Sequence, residues 1–200
     1  NPSAPGEPSG DLLSFMSTIQ KGESEHGVNY AYRSPDTDLM GVVLERAGGD
    51  RFHRLLERYL WQPMGARSDA QITVDRIGTA RAAGGISVTT HDMARVGELV
   101  RQGGAGVIPE RWIADMWSGG SNAVWQRGGQ TTLFPTGTYR SFWYTTGEGK
   151  MFALGIHGQW IWIDPASEVV IAKQSSQSQP ISDPMKAANV ASFRQIARSL

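Results

Sequence analysis

Tyr32-Arg33-Ser34-Pro35-Asp36-Thr37-Asp38-Leu39-Met40-Gly41-Val42-Val43-Leu44-Glu45-Arg46-Ala47-Gly48-Gly49 sets an aromatic residue directly before a complete helix signal. The Ser34 hydroxyl suits an N-cap, and Pro35 suits the first helical position, where no N–H is needed. Leu39, Met40, Val43, Leu44 and Ala47 then form one apolar face, and Gly48-Gly49 is a natural stop.

Upstream, residues 1–10 are rich in Pro, Gly and Ser and read as a linker. They lack a charged n-region ahead of an apolar stretch, so they do not read as a signal peptide. Asp11–Gln20 carries Leu12, Leu13, Phe15, Met16 and Ile19, the pattern of a short amphipathic helix. Downstream, Asp50 restarts a helix whose Phe52, Leu55, Leu56, Tyr59 and Leu60 are expected to form one buried stripe, ended by Pro63 and Gly65. A weakly patterned segment reaches Gly84-Gly85. Two further helices are expected over Asp92–Val100 and Pro109–Trp117.

The character changes beyond Gly119. Phe142–Tyr144, Met151–Ile156, Trp160–Ile163 and Val169–Ala172 are short, apolar and β-rich, with Gly or Asp-Pro punctuation between them. They predict successive antiparallel strands. Asp183-Pro184 opens a closing helix whose Met185, Asn189, Phe193, Ile196, Ala197 and Leu200 would lie on the sheet. The expected organisation is a linker and short helix (1–27), a mostly helical region (28–120), then antiparallel strands and a C-terminal helix of the same domain (121–200). This is an α/β mixture of the α+β kind, an antiparallel sheet flanked by helices plus part of a helical region.

Composition narrows the function. Nineteen basic residues balance nineteen acidic ones, so there is no electrostatic footprint for nucleic acid and no polybasic stripe for a membrane surface. The longest apolar runs are far too short to span a bilayer. Absence of cysteine excludes disulfides, thiolate metal sites and a cysteine nucleophile. His26, His53, His91 and His157 show no metal-ligand spacing, and no cofactor motif is present.

The Tyr32–Gly49 stretch resembles the second motif of the class C β-lactamases and related esterases, where a Tyr-x-Asn box precedes a Leu-Leu-Gly helix. Leu56–Gly65 is similar to the family's Pro-Leu-Gly-Met stretch, and Ala83–Ala94 to its Ala-Gly-Gly-Leu loop and following helix. Gly155–Pro165 is similar to the strand pair that ends in Asp-Pro. Four such pieces fall in order over about residues 28–175. The Tyr-x-Ser form at Tyr32 and Ser34 looks most like the 6-aminohexanoate-oligomer (nylon oligomer) hydrolases.

The resemblance implies a β-lactamase-like fold and acyl transfer by a serine, assisted by a lysine and a tyrosine, with backbone amides holding the oxyanion. Tyr32 would be that tyrosine and Ser34 its motif partner. The strand motif aligns with Ala153-Leu154-Gly155. Gly155 would let substrate lie against the strand, and the Ile156 N–H would serve the oxyanion. His157, Gly84 and Gly85 are candidate pocket residues, with Trp125, Trp160 or Trp162 as further walls. No Lys or His stands where the family holds a β-lactam carboxylate. That implies a small-molecule amide or ester substrate.

The family's nucleophile sits in Ser-x-x-Lys, one helical turn apart on one face. Lysines occur here only at 21, 150, 173 and 186, and none has serine three residues before it. The expectation is therefore an incomplete domain, inert alone, whose nucleophile lies in a segment before residue 1 of the same protein. Surfaces that normally pack on that segment would be exposed and would favour self-association. Two alternatives remain: a non-catalytic relative that binds a peptide or cell-wall-like ligand, and a hydrolase using Ser87 or Ser121.

Overall fold

The computed structural model describes residues 10–22 and 24–200, so the linker expected over the first ten residues lies outside it apart from Gly10. Helix α1 (Leu12–Ser17) is capped by Asp11, whose carboxylate accepts from the Ser14 N–H at 2.7 Å. Helix α2 (Ser34–Gly48) follows, then α3 (Phe52–Leu56), which continues as a π-helical turn over Glu57–Trp61. Strands β1 (Gln71–Ile72) and β2 (Ile86–Ser87) make a small antiparallel pair. Helices α4 (Thr90–Arg101), α5 (Glu110–Ser118) and α6 (Asn122–Trp125) lead into the main sheet.

That sheet is a five-stranded antiparallel meander: β3 (Thr138–Arg140), β4 (Trp143–Thr145), β5 (Met151–Gly155), β6 (Gln159–Asp164) and β7 (Val169–Lys173). Helix α7 (Asp183–Ser199) closes the chain. Side chains alternate faces along a strand, and both faces here are apolar. Met151, Ile161 and Ile163 pack with Val100 of α4 and with Ile113 and Met116 of α5. Tyr144, Phe152, Trp160 and Trp162 pack with Val190 and Phe193 of α7 and with Trp125 and Phe134. The result is a mixed layer structure with the sheet between helices.

Several sequence expectations are corrected. Ser34 makes no capping bond; Arg33 stands at the cap, and its carbonyl accepts the Asp36 N–H at 3.2 Å. The α2 face of Leu39, Met40, Val43 and Leu44 is not buried; each is 44–48% exposed. Helix α2 packs through Asp38, Gly41 and Val42 instead, because the Asp38 carboxylate binds the Ala83 N–H at 2.9 Å and the Arg81 guanidinium at 3.2 Å. The expected stripe from Phe52 to Leu60 buries only Leu55 fully, and Tyr59 is exposed. The wider π-helical turn explains this, since it breaks the three-to-four-residue register at Glu57. In α7, Asn189, Phe193 and Ala197 are buried as expected, but Val190 takes the place given to Ile196, and Leu200 is solvent-exposed.

Candidate active site

The end of the sheet where β5 meets β6 is built around a strained turn. Ile156–Gly158 form one 3₁₀ turn, with His157 at φ 58° and Gly158 at φ 84°. A non-glycine residue in the left-handed region costs energy and persists only where its surroundings fix it. Here the fixing is visible. The His157 N–H donates to the Pro180 carbonyl at 3.0 Å, and His157 Nδ1 lies 2.7 Å from the Gln177 carbonyl. The Gln177 N–H returns to the His157 carbonyl at 3.3 Å. The Gln159 amide donates to the Ile156, His157 and Ser175 carbonyls, and its own carbonyl accepts from the Ser175 N–H. The Lys173 ammonium reaches the Gly158 carbonyl at 3.2 Å.

Ile156 is therefore held through its neighbours while its side chain is exposed. As the first residue of the turn its N–H has no acceptor within the turn. The edge beside it is also open: β4 pairs with β5 only at Tyr144–Phe152 and Thr145–Met151, so Ala153–Gly155 have no strand partner on that side among the described residues. A Cβ on Gly155 would lie 3.0 Å from that of Gln159, a tight contact that favours glycine there. His157 serves the turn through its ring and backbone.

Tyr32 lies on the extended approach to α2. Two residues earlier, Tyr30 is anchored by its N–H to the Arg127 carbonyl at 3.1 Å, and by its hydroxyl to that of Tyr144 at 3.0 Å. Its ring packs on Trp125 and Tyr139 with centroids 5.2 Å away. Burial pushes the Tyr30 phenol up to about 12, opposed by its hydrogen bond to Tyr144. Burial also raises Tyr139 and Tyr144. The Tyr32 phenol lies near enough to oppose ionisation of all three electrostatically. Tyr32 is the exposed member of the group, at 56%, and makes no hydrogen bond with the described residues. Nor does any hydrogen bond or ring contact join it to Ile156. Beside the cluster a cleft of about 250 Å³ is lined by Tyr30, Gly120, Ser121, Trp125, Tyr139 and Arg140.

The remaining candidates are structural in their contacts. Gly84 takes φ 124°, and a Cβ on Gly85 would lie 2.6 Å from the Arg81 carbonyl oxygen, so both belong to a tight turn. Trp160 and Trp162 are buried core residues rather than pocket walls, whereas Trp125, equally buried, also lines the cleft beside Tyr30. Ser121 caps α6 through its hydroxyl. No group of three or more His, Asp or Glu residues suited to a metal occurs among the described residues. Sequence reasoning missed two buried carboxylates. Asp38 is described above. Asp92 accepts the Arg67 and Ser68 N–H groups at 2.9 and 3.1 Å and the Thr89 hydroxyl at 2.9 Å. The Arg67 N–H is the leading cause of its lowered pKa, and Arg95 adds to it. The Asp-Met pair beginning at Asp92 was the only signal in the sequence.

The helix–sheet–helix body carries an exposed tyrosine before α2 and a strained turn after β5, and its class is that of a β-lactamase-like serine hydrolase relative. The family model for Beta-lactamase matches residues 4–194, and the chain belongs to that family. It is 38% identical over 181 residues to the 6-aminohexanoate-dimer hydrolase of Paenarthrobacter ureafaciens, covering 88% of this chain and 45% of that protein. Among solved structures, a protein of Bacillus anthracis provisionally assigned as a 6-aminohexanoate-dimer hydrolase superposes with a TM-score of 0.83 at 20% identity. The match covers 94% of this chain and 48% of that one. The octameric penicillin-binding protein homologue of Pyrococcus abyssi gives 0.66 at 12% identity, covering 94% of this chain and 48% of that one. The chain thus spans about half the length of these relatives.

Proposed function

We propose that this chain forms the tyrosine and oxyanion-amide portion of a serine hydrolase that cleaves short linear amides or esters through an acyl-enzyme. The observation that carries the proposal is the Ile156 turn: a strained loop, held by His157, Gln159 and Lys173, that leaves an N–H beside an unpaired strand edge. In this reading a Ser-x-x-Lys segment of the same protein, placed before residue 1, supplies the nucleophile. Its serine attacks the substrate carbonyl, and the serine proton passes to the lysine–Tyr32 pair. The Ile156 N–H donates to the oxyanion as the tetrahedral intermediate forms. The carbon–nitrogen or carbon–oxygen bond then breaks, and the leaving group takes the proton. Water releases the acyl group by the same path.

A linear substrate is favoured because Ala153-Leu154-Gly155 offers no cation for a β-lactam carboxylate, and because the relative from Paenarthrobacter is a 6-aminohexanoate-dimer hydrolase. The exposed α2 face of Leu39, Met40, Val43 and Leu44 is the surface assigned to the complementary segment. Left uncovered, it also favours self-association.

The test is intact-mass spectrometry after treatment with a serine-reactive fluorophosphonate, on this chain alone and with the segment encoded ahead of it. The expected result is an unmodified 200-residue chain and an adduct on the serine of the preceding segment. An adduct on this chain, or none on either piece, overturns the reading. In the active protein, Tyr32→Phe should slow acylation about 10²- to 10⁴-fold, the usual range for a lost proton shuttle.

A further inference from the structure

Three of the five non-glycine residues with positive φ among the described residues stand at one end of the main sheet: Ser141, Phe142 and His157. His157 belongs to the Ile156 turn. Ser141 and Phe142, at φ 49° and 70°, are the whole loop between β3 and β4, whose last pair is Arg140–Trp143. A two-residue hairpin loop with both φ values positive normally uses Asn-Gly, because a bulky side chain crowds the left-handed backbone. Alternate hairpins of an antiparallel meander share an end, so the Ser141-Phe142 loop and the Ile156 turn lie at the same one. Strain of this kind gathers where the surroundings use it.

Between the two turns the sheet is split. Pairing of β4 with β5 stops at Tyr144–Phe152. Continued, the same register would set Trp143 against Ala153 and Phe142 against Leu154, but neither pair forms. Burial falls along β5 in step: Met151 and Phe152 are fully buried, Ala153 and Leu154 partly, and Gly155 is exposed. The unpaired stretch is about 10 Å of strand edge at roughly 3.3 Å per residue, and it ends at Ile156. Trp143 and Ala153 pack on the cluster of α4 and α5, and Leu154 packs on that of α7. Phe142 belongs to neither cluster and is 49% exposed. Core packing therefore does not explain an aromatic residue in a conformation that suits glycine.

We propose that Phe142 determines specificity: it walls the split between β4 and β5 and packs on an unbranched aliphatic acyl chain lying along Ala153–Gly155. The proposal rests on the acyl-enzyme reading. The acyl chain is favoured over the leaving group because it stays attached through both steps, whereas the leaving group must depart into solvent. The test uses the active protein, this chain with the segment encoded ahead of it, and compares p-nitrophenyl hexanoate with p-nitrophenyl acetate. Phe142→Gly relieves the loop backbone, so the unfolding temperature should hold or rise. Its kcat/KM for hexanoate should fall about five- to tenfold, the worth of one or two methylenes returned to water, with acetate changed less than twofold. Phe142→Asn, also tolerated in the left-handed region, should behave alike, and Phe142→Leu should retain the hexanoate preference. An unchanged hexanoate-to-acetate ratio in Phe142→Gly and Phe142→Asn, whether or not activity or unfolding temperature falls, overturns the proposal and leaves the acyl-enzyme reading standing. A wild-type protein that cleaves neither ester and takes no fluorophosphonate overturns both.

Discussion

The sheet and helix α2 are both apolar in sequence, yet they reach opposite ends. Strands β5 and β6 bury apolar side chains on both faces: Met151, Phe152, Trp160, Trp162 and Ile163 are all within 1% of complete burial. Helix α2 turns its polar Asp38 inward and leaves Leu39, Met40, Val43 and Leu44 half exposed. Hydrophobicity decides that a segment seeks cover; available partners decide whether it finds any. The sheet's partners, α4, α5 and α7, are all present in the chain. Within the chain, α2 is anchored by hydrogen bonds and by Gly41, whose missing Cβ lets Ala82 approach closely.

Trp162→Ala would test the sheet side of that contrast most severely. Its ring stacks on Phe152 at 6.1 Å and meets Phe193 at 5.8 Å, and truncation should cost about 3–5 kcal/mol in denaturant unfolding. Trp162→Phe should cost far less, because the indole N–H is buried without an acceptor and loses no bond. A large loss on Trp162→Phe would show that the N–H is satisfied in solution.

Next in size is the response of the tyrosine cluster to alkali. Tyr30 titrates at about 12, and Tyr139 and Tyr144 are also raised above the ordinary phenol value near 10. Above pH 10 the unfolded chain therefore binds fewer protons than the folded one. Stability is intact below pH 10 and falls as pH rises through the folded values. Absorbance near 295 nm should show these three of the five phenols still protonated at pH 11 in the folded chain. Complete ionisation of all five by pH 11 would mean that the cluster opens readily.

A smaller and more local effect is expected at Asp92, which ties α4 to the segment after the π-helical turn. Asp92→Asn keeps the shape but removes the charge that holds the Arg67 and Ser68 N–H groups. Amide exchange at those two residues should accelerate about tenfold, the equivalent of roughly one buried hydrogen bond. Because the folded pKa is depressed, the wild-type anchor is present above the ordinary carboxylate range and is lost as pH falls through its folded value. The variant's exchange should lack that acid dependence. Unchanged exchange would mean that the 67–68 segment is held by other contacts.

The same contrast shows what could be read from the residues. Strands β4 to β7 and helix α7 follow from short apolar, β-rich runs and the punctuation between them, which are local, whereas β1, β2 and β3 carried no such signal. Helix α2 was legible as a helix, but its inward face was not, because that is fixed by Ala83, 45 residues away. Asp92 and Gln159 escaped notice for the same reason, since their partners lie 24–25 and 16 residues distant. Pattern also gave no warning of the π-helical turn after α3. Tyr32 and Ile156 drew attention through motif resemblance; no periodicity marks them. The turn that holds Ile156 depends on a left-handed His157, a conformation that the residue type does not announce.

The smallest expected effect is the sharpest test of α2. Leu39 is 47% exposed, and a lysine stem can follow a similar path while its ammonium stays in water. In the 200-residue chain, Leu39→Lys should therefore change stability by about 0.5 kcal/mol or less. Val42, one turn face away and 7% exposed, should not tolerate lysine, because the charge would be buried without a partner. Sedimentation run alongside reads whether copies meet on this face. A near-neutral Leu39→Lys with a monomeric wild type means that the face is open and awaits a complementary segment. A loss above about 2 kcal/mol, relieved by dilution, means that a second copy already covers it. In that case α2 would resemble the sheet after all, differing only in that its cover comes from another molecule.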